Sequence, residues 1–229
     1  MAKLQDIIQW CDQTLKSTEF KDYAPNGLQI EGKTEVRKIL AAVTASQDAI
    51  DAAIRENADL LLVHHGYFWK GEAYPITGMR GKRIKSLIQH DISLLAYHLP
   101  LDSHPSLGNN AAIADLLKLE RIEALDPSER HPIGNIGYLN QPMPVEDFKK
   151  FVSETLKFDV THLPADKTMI EKVGFCTGGA QDFIVKAAEQ GCDAYISGEV
   201  SERTFYEAKE LDVHYFACGH HATERYGAQ

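Results

Sequence analysis

Apolar positions along this chain follow two alternating periods. Leu4, Ile7, Ile8, Cys11 and Leu15 stand at helical spacing, which predicts an amphipathic helix over residues 3 to 16. VRKILAAVTA, from Val36 to Ala45, reads as a buried strand. Ser46 then offers a side-chain oxygen as the N-cap of a helix through Asn57, with Ala49, Ile50, Ala53 and Ile54 facing inward. Leu60 to Val63 is a second buried strand, and it runs straight into His64, His65 and Gly66. A helix over Lys82 to His90, a strand over Ile92 to Tyr97 and a helix over Ala111 to Leu119 continue the alternation. Strands alternating with helices of this length predict an α/β fold with mainly parallel sheets and right-handed crossovers.

The periodicity breaks at DPSERHP, Asp126 to Pro132, where prolines and charges cluster. This predicts a boundary between an N-terminal α/β lobe over 1–128 and a C-terminal α/β lobe over 129–229, together one compact unit. The second lobe opens with IGNIGYL and a helix started by Pro144, followed by short strands near Phe158 to Leu163 and Val173 to Cys176. TGGAQDFIVKAAEQ, DAYISGE, SERTFYEAKEL, VHYFACG and HHATERYGAQ then alternate helix and strand. No segment is low in complexity.

Composition narrows the function classes. The 44% apolar and 25% charged residues are those of an ordinary globular chain. A net charge of −9 leaves no basic surplus for phosphates, which disfavours duplex nucleic acid as a partner and favours a small molecule, with a local nucleotide pocket still open. No apolar run approaches the roughly 20 residues of a membrane span, and MAKLQDIIQW has no secretory apolar core. A cytoplasmic location is expected. Cys11, Cys176, Cys192 and Cys218 form no Cys-x-x-Cys pair and read as buried free thiols.

The chemistry concentrates at strand ends, where open α/β sheets keep their sites. His64 and His65 follow one strand directly. Neighbours on a strand face opposite ways, so both serve one site only if the chain turns there or the site has two centres. In ACGHHATE a strand gives way to a helix on which His220 and Glu224, four residues apart, face the same way. HLPLDSH places Asp102 just past another strand, with His98 and His104 close by. If these strands belong to facing lobes, His64, His65, Asp102, His220 and Glu224 converge. Such a mixed nitrogen and oxygen set suits zinc, manganese, iron or cobalt better than calcium, and the lack of a close thiol pair argues against iron–sulfur.

Other polar features carry weaker signals. His90, His104, His131, His162 and His214 read as structural, while His98 and His221 could pack, brace a ligand or act as acid or base. TGGA, Thr177 to Ala180, is a tight turn that could expose amides to an anion, without a full nucleotide fingerprint. SGEVSER offers Glu199 and Glu202, the latter in a helix first turn. Tyr67, Phe68, Trp69 and Tyr74 could line a planar substrate's pocket or simply pack.

Taken together and in order, LLVHHGYFW, AYHLPLDSHPSLGNN, VGFCTGGAQDFIVKAAEQGCDAYISGE and GHHATE resemble the Ngg-interacting-factor-like dinuclear metal proteins, the GTP cyclohydrolase I type 2 homologs. The resemblance spans nearly the whole chain. It implies two α/β lobes with two divalent metal ions in the cleft between them, and a toroidal homohexamer. Carried over by motif, the metal ligands are His64, His65, Asp102, His220 and Glu224. Glu224 as the bridge between ions and His98 are the catalytic candidates. The implied activity is metal-dependent hydrolysis, with ring opening of GTP as the family's named reaction. The alternative is a metal-dependent binding or regulatory ring without turnover. Members of the family usually run on past the motif that here lies close to Gln229.

Overall fold

A computed structural model describes residues 1–229. The chain divides into two compact units, one of residues 1–101 with 228–229 and one of residues 102–227. The division falls at Leu101, not at the Asp126 to Pro132 segment, where the sequence had pointed.

The first unit begins with β1 (Ala2–Lys3), α1 (Leu4–Leu15), β2 (Gly27–Ile30), β3 (Glu35–Val36) and β4 (Ile39–Thr44). It continues through α2 (Gln47–Arg55), β5 (Leu60–His65), α3 (Gly78–Gln89), β6 (Ser93–Ala96) and the start of α4 (Leu99–Ser103). The sheet order is β2-β6-β5-β4, with β4, β5 and β6 parallel and β2 an antiparallel edge. Side chains alternate across β5: Leu61 and Val63 meet Ile50, Ala53, Ile84 and Leu87 of α2 and α3, while Leu60 packs with Leu4 and Cys11 of α1. Burying both faces explains why β5 reads as an unbroken apolar run. Ser46 caps α2 as expected, its Oγ accepting from the Ala49 amide at 3.2 Å. Helix α3 starts four residues earlier than the sequence suggests, despite two glycines in its first turn. Arg80 donates to the Ala73 and Pro75 carbonyls and ties the preceding loop to that turn.

The second unit holds α5 (Asn109–Leu116), β7 (Glu120–Ala124), β8 (Asn135–Pro144), α6 (Val145–Leu156), β9 (Thr161–Leu163) and β10 (Met169–Phe175). After these come α7 (Ile184–Glu189), β11 (Ala194–Ser197), α8 (Glu202–Glu210), β12 (His214–Ala217) and α9 (His220–Ala228). The sheet order is β7-β8-β10-β11-β12-β9. Only β10, β11 and β12 run parallel; β7, β8 and β9 pair antiparallel, so this sheet is mixed and the expectation of mainly parallel sheets holds for the first unit alone. The 125–134 segment accounts for one of these antiparallel pairings, because it closes β7 onto β8 as a hairpin. Its Asp126 accepts from Ser128 and pairs with Lys186, and these contacts, the Lys186 hydrogen bond first, hold the carboxyl down to about 2. Phe148, Val152 and Leu156 of α6 cover one face with Val173, Phe175 and Phe216. Ile184, Ala187 and Ala208 of α7 and α8 cover the other with Tyr195 and Tyr215. No helix in either unit is long and apolar enough to cross a membrane.

All four cysteines are buried and free. His162 and His214 form a structural pair. His214 Nε2 donates to the Lys167 carbonyl at 2.7 Å, its Nδ1 accepts from the Ala165 amide, and His162 Nε2 lies 3.0 Å from that Nδ1. The His162 ring stacks on Phe216 with centroids 4.6 Å apart. Burial, with repulsion from His214, lowers the His162 pKa to about 4. The unfolded chain therefore binds a proton at His162 below about pH 6.5 that the folded chain refuses until about 4. The His162 contribution is full above pH 6.5 and is lost as pH falls through that window. Thermal melts from about pH 7 to 4 should show a steeper loss for the native protein than for His162→Phe, and parallel curves would refute this assignment.

Candidate metal centre

In the first unit, parallel register sets the C-terminal ends of β4, β5 and β6 side by side, pairing Thr44 with His65 and Val63 with Ala96. Their loops therefore open at one edge. His64 is fully buried and its Nδ1 donates to the Tyr97 carbonyl at 2.8 Å, which fixes the tautomer and puts the lone pair on Nε2. His65 Nδ1 lies 3.1 Å from the Thr44 hydroxyl. His98 Nδ1 donates to Asp22 Oδ1 at 2.6 Å. One ring nitrogen from each of His64, His65 and His98 lies within 4.8 Å of the others.

The two adjacent imidazoles do not diverge as an extended strand would make them. Their centroids are 4.4 Å apart, because β5 ends at His65 and the chain turns at Gly66. A side chain at Gly66 would run into Ala96 Cβ and the Gln29 amide, which itself accepts from the Tyr67 amide. Trp69 stands edge-on to His98 with centroids 4.9 Å apart and near His65 at 5.9 Å. Of the other aromatics, Tyr67 is core, donating its hydroxyl to the Ala45 carbonyl at 2.6 Å, whereas Tyr74 is 99% exposed. Burial would raise the Asp22 carboxyl, but the hydrogen bonds from His98, Asn26 and the Leu99 amide outweigh it and hold Asp22 below the ordinary carboxylate range.

In the second unit, Asp102 Oδ1 accepts from Asn109 Nδ2 at 2.9 Å and from the Thr177 hydroxyl at 3.2 Å. Glu224 and His220 share one face of α9, and His220 Nε2 lies 3.0 Å from Glu224 Oε2. His220 Nδ1 lies 2.6 Å from Glu199 Oε1. Hydrogen bonding to Glu224 first, with its charge and the Glu199 contact, pushes the His220 pKa up to about 9 against the effect of burial. Carboxylate oxygens of Asp102 and Glu224 come within 4.8 Å of each other, although the two residues are only 6% and 2% exposed. Two buried like charges at that spacing call for positive charge beside them.

The TGGA turn reaches Asp102 through the Thr177 hydroxyl and turns three of its amides to side-chain oxygens. Its Thr177, Gly178 and Ala180 amides donate to Asn110 Oδ1, Thr223 Oγ1 and Ser197 Oγ. Gly178 sits at φ +70, where a Cβ would overlap Glu224 Oε1. His221 is exposed and Glu202 lies in the first turn of α8, so neither joins the site. His90 and His104 are structural, with Nδ1 bonded to the Ser86 carbonyl and to the Ser106 and Leu107 amides respectively. The supporting residues Asp22, Asn109, Asn110 and Thr44 escaped the sequence reading. Only the NN pair shortly after Asp102 was a visible signal.

The donor set fits divalent transition metals. The first unit offers imidazoles whose outer nitrogens are held by protein oxygens, and the second offers two buried carboxylates with an adjoining imidazole.

Similarity to known proteins shows the family of the chain. The profile of Duf34/NIF3 (NGG1p interacting factor 3) matches residues 2–229. A Haemophilus influenzae protein called GTP cyclohydrolase 1 type 2 homolog is 51% identical over 224 residues, covering 97% of this chain and 88% of its own. A Vibrio cholerae protein of the same name is 52% identical over 220 residues, covering 94% and 86%. Among solved structures, the protein ybgI, of unknown function, superposes with a TM-score of 0.94 at 44% identity over 99% of this chain and 90% of that one. A Thermus thermophilus protein does so at 0.89 and 29% identity, again over 99% and 90%. The chain belongs to the Duf34/NIF3 family.

Proposed function

We propose that this chain is a divalent-metal-dependent hydrolase. The residues assigned to hold two ions, of zinc, manganese or iron, are His64, His65, Asp102, His220 and Glu224. The observation that carries the reading is the pair of buried carboxylates, Asp102 and Glu224, set within 4.8 Å of each other. The ions would polarise the bond under attack and bring the pKa of a bound water toward neutrality.

The chain's own residues supply the rest. Tyr97 and Thr44 orient His64 and His65; Asn109 and Thr177 orient Asp102; Glu199 orients His220. Trp69 shields the imidazoles from bulk water. Glu224 would hold metal alongside His220 and Asp102, and His98 would accept a proton. The names of the curated relatives point to GTP as substrate and to ring opening as the reaction, and the family resemblance to a homohexamer.

Protein stripped of metal and reloaded with zinc, manganese or iron should turn over one member of a panel holding GTP, phosphoesters and cyclic amides. His64→Ala should lose that activity by more than about 100-fold, as loss of a ligand does more harm than the roughly 10- to 100-fold of an outer-shell change. Absence of metal-dependent turnover across the panel would turn the assignment to a metal-dependent binding ring.

A further inference from the structure

The loop from Asp22 to Asn26 grips His98 at both its ring and its backbone. Asp22 Oδ1 accepts from His98 Nδ1 at 2.6 Å, and Asp22 Oδ2 accepts from the Leu99 amide and from Asn26 Nδ2, each at 2.9 Å. Asn26 Oδ1 in turn accepts from the His98 amide at 2.8 Å. The Asp22 side chain is 3% exposed, so these contacts are not replaced by water. With the Tyr23 amide, which donates to Asp22 Oδ1 at 2.6 Å, four donors thus converge on one carboxylate, which has no proton to give in return. His98 is obliged to carry its proton on Nδ1 and its lone pair on Nε2. The Trp69 edge at 4.9 Å and the His64 ring at 5.2 Å, measured between centroids, limit rotation of the imidazole.

We propose that Asp22 is a positioning residue that locks His98 in the Nδ1–H tautomer, presenting Nε2 beside the His64–His65 pair as the base of the hydrolytic step. The base role rests on the hydrolase reading above; the hold on the tautomer does not. As the O–H bond of the attacking water breaks, an N–H bond forms at His98 Nε2, and Asp22 balances the imidazolium. The proton then passes to the leaving group, which restores neutral His98.

Asp22→Asn tests this, because asparagine has a single acceptor oxygen for the four donors that the two carboxylate oxygens share. That oxygen is expected to stay with the part-buried Leu99 and Asn26 donors, because water can take over the exposed contact of the Tyr23 amide, and this turns the amide NH2 toward His98. Nδ1 must then accept, and the proton moves to Nε2. The same exchange in a Ser-His-Asp triad costs about 10⁴-fold in kcat through the wrong tautomer.

In the zinc-loaded full chain, long-range 1H–15N spectra should show His98 switching from Nδ1–H to Nε2–H in Asp22→Asn, with bound zinc unchanged. Turnover should fall by about 10³- to 10⁴-fold. His98→Gln alone and combined with Asp22→Asn should reach the same level, and Asp22→Glu should retain the native tautomer. An unchanged tautomer in Asp22→Asn overturns the proposal. Loss of zinc in His98→Gln also overturns it, by making His98 a ligand. If the native protein turns over nothing at full metal load, the base role falls with the hydrolase reading, and the tautomer switch by itself then decides whether Asp22 sets the ring.

Discussion

Glu224→Ala should leave the chain folded but deprive it of at least one bound ion. Glu224 is 2% exposed on α9, 3.0 Å from His220 Nε2, with a carboxylate oxygen within 4.8 Å of Asp102. Without it Asp102 remains as a single buried carboxylate, and the second unit loses both a proposed ligand and half the negative charge of that buried pair. Folding should survive, since the substitution removes a like-charge contact and no large apolar surface. Ligand binding stabilises the native state by about 4 kcal/mol at a thousandfold excess over Kd. The rise in Tm that metal gives the native protein should therefore shrink or vanish in Glu224→Ala. Metal analysis by atomic emission gives the stoichiometry, and an unchanged value would refute the assignment.

The same variant should change how metal binding depends on pH. Without an ion His220 holds its proton up to about pH 9, with the Glu224 hydrogen bond as the foremost cause. An entering ion must expel that proton, so affinity should fall as pH drops below about 9 and a proton should be released on binding at neutral pH. In Glu224→Ala the His220 pKa moves back toward its ordinary value and proton release at neutral pH diminishes. Calorimetry in buffers of different ionisation enthalpy counts the protons.

Gly178→Ala is the second change expected to have a large effect, although it touches no ligand's identity. At φ +70 any L residue is strained, by roughly 1–2 kcal/mol. A Cβ there would overlap Glu224 Oε1 and lie 3.1 Å from His220 Nε2. The backbone has no room to yield. Gly178 N donates to Thr223 Oγ1, and its carbonyl accepts from the Gly198 amide, the Glu199 amide and the Ser197 hydroxyl. Glu224 is the group that must move, so metal affinity should drop by more than about 10-fold, and beyond the roughly 10 to 100 of an ordinary outer-shell change if that ligand is lost. Gly191→Ala is the control: it has the same φ of +70 with open space around it, so it shares the backbone strain without the clash. Equal metal affinity in the two variants would sink the argument.

Much of the first unit was legible because each element there follows one local rule. α1 and α2 bury one stripe at helical spacing, and β5 is apolar throughout because helices cover both faces of its sheet. The second unit was harder, because the direction in which strands pair is not written in their own residues. β8 and β9 look like strands but nothing in them says antiparallel, and the 125–134 hairpin has the prolines and charges that also mark domain boundaries. The histidine-bearing strand and helix ends around the candidate site were visible as residue types after apolar runs. Their support was not, since Asp22 meets His98 and Asn109 meets Asp102 only by long-range folding or through a loop without periodicity.

What the sequence determined by itself is the chemistry on offer: imidazoles at the end of β5, a carboxylate past β6, and an imidazole with a carboxylate one helical turn apart on α9. These follow from residue identity and from the geometry of single elements, which is local. Tertiary structure decided how each group is held. The Tyr97 carbonyl and Asp22 set the tautomers of His64 and His98, the turn at Gly66 draws neighbouring rings together, and Gly178 leaves room for Glu224. Such constraints come from chain segments distant in sequence or from a turn's close packing, so no periodicity in the chain announces them.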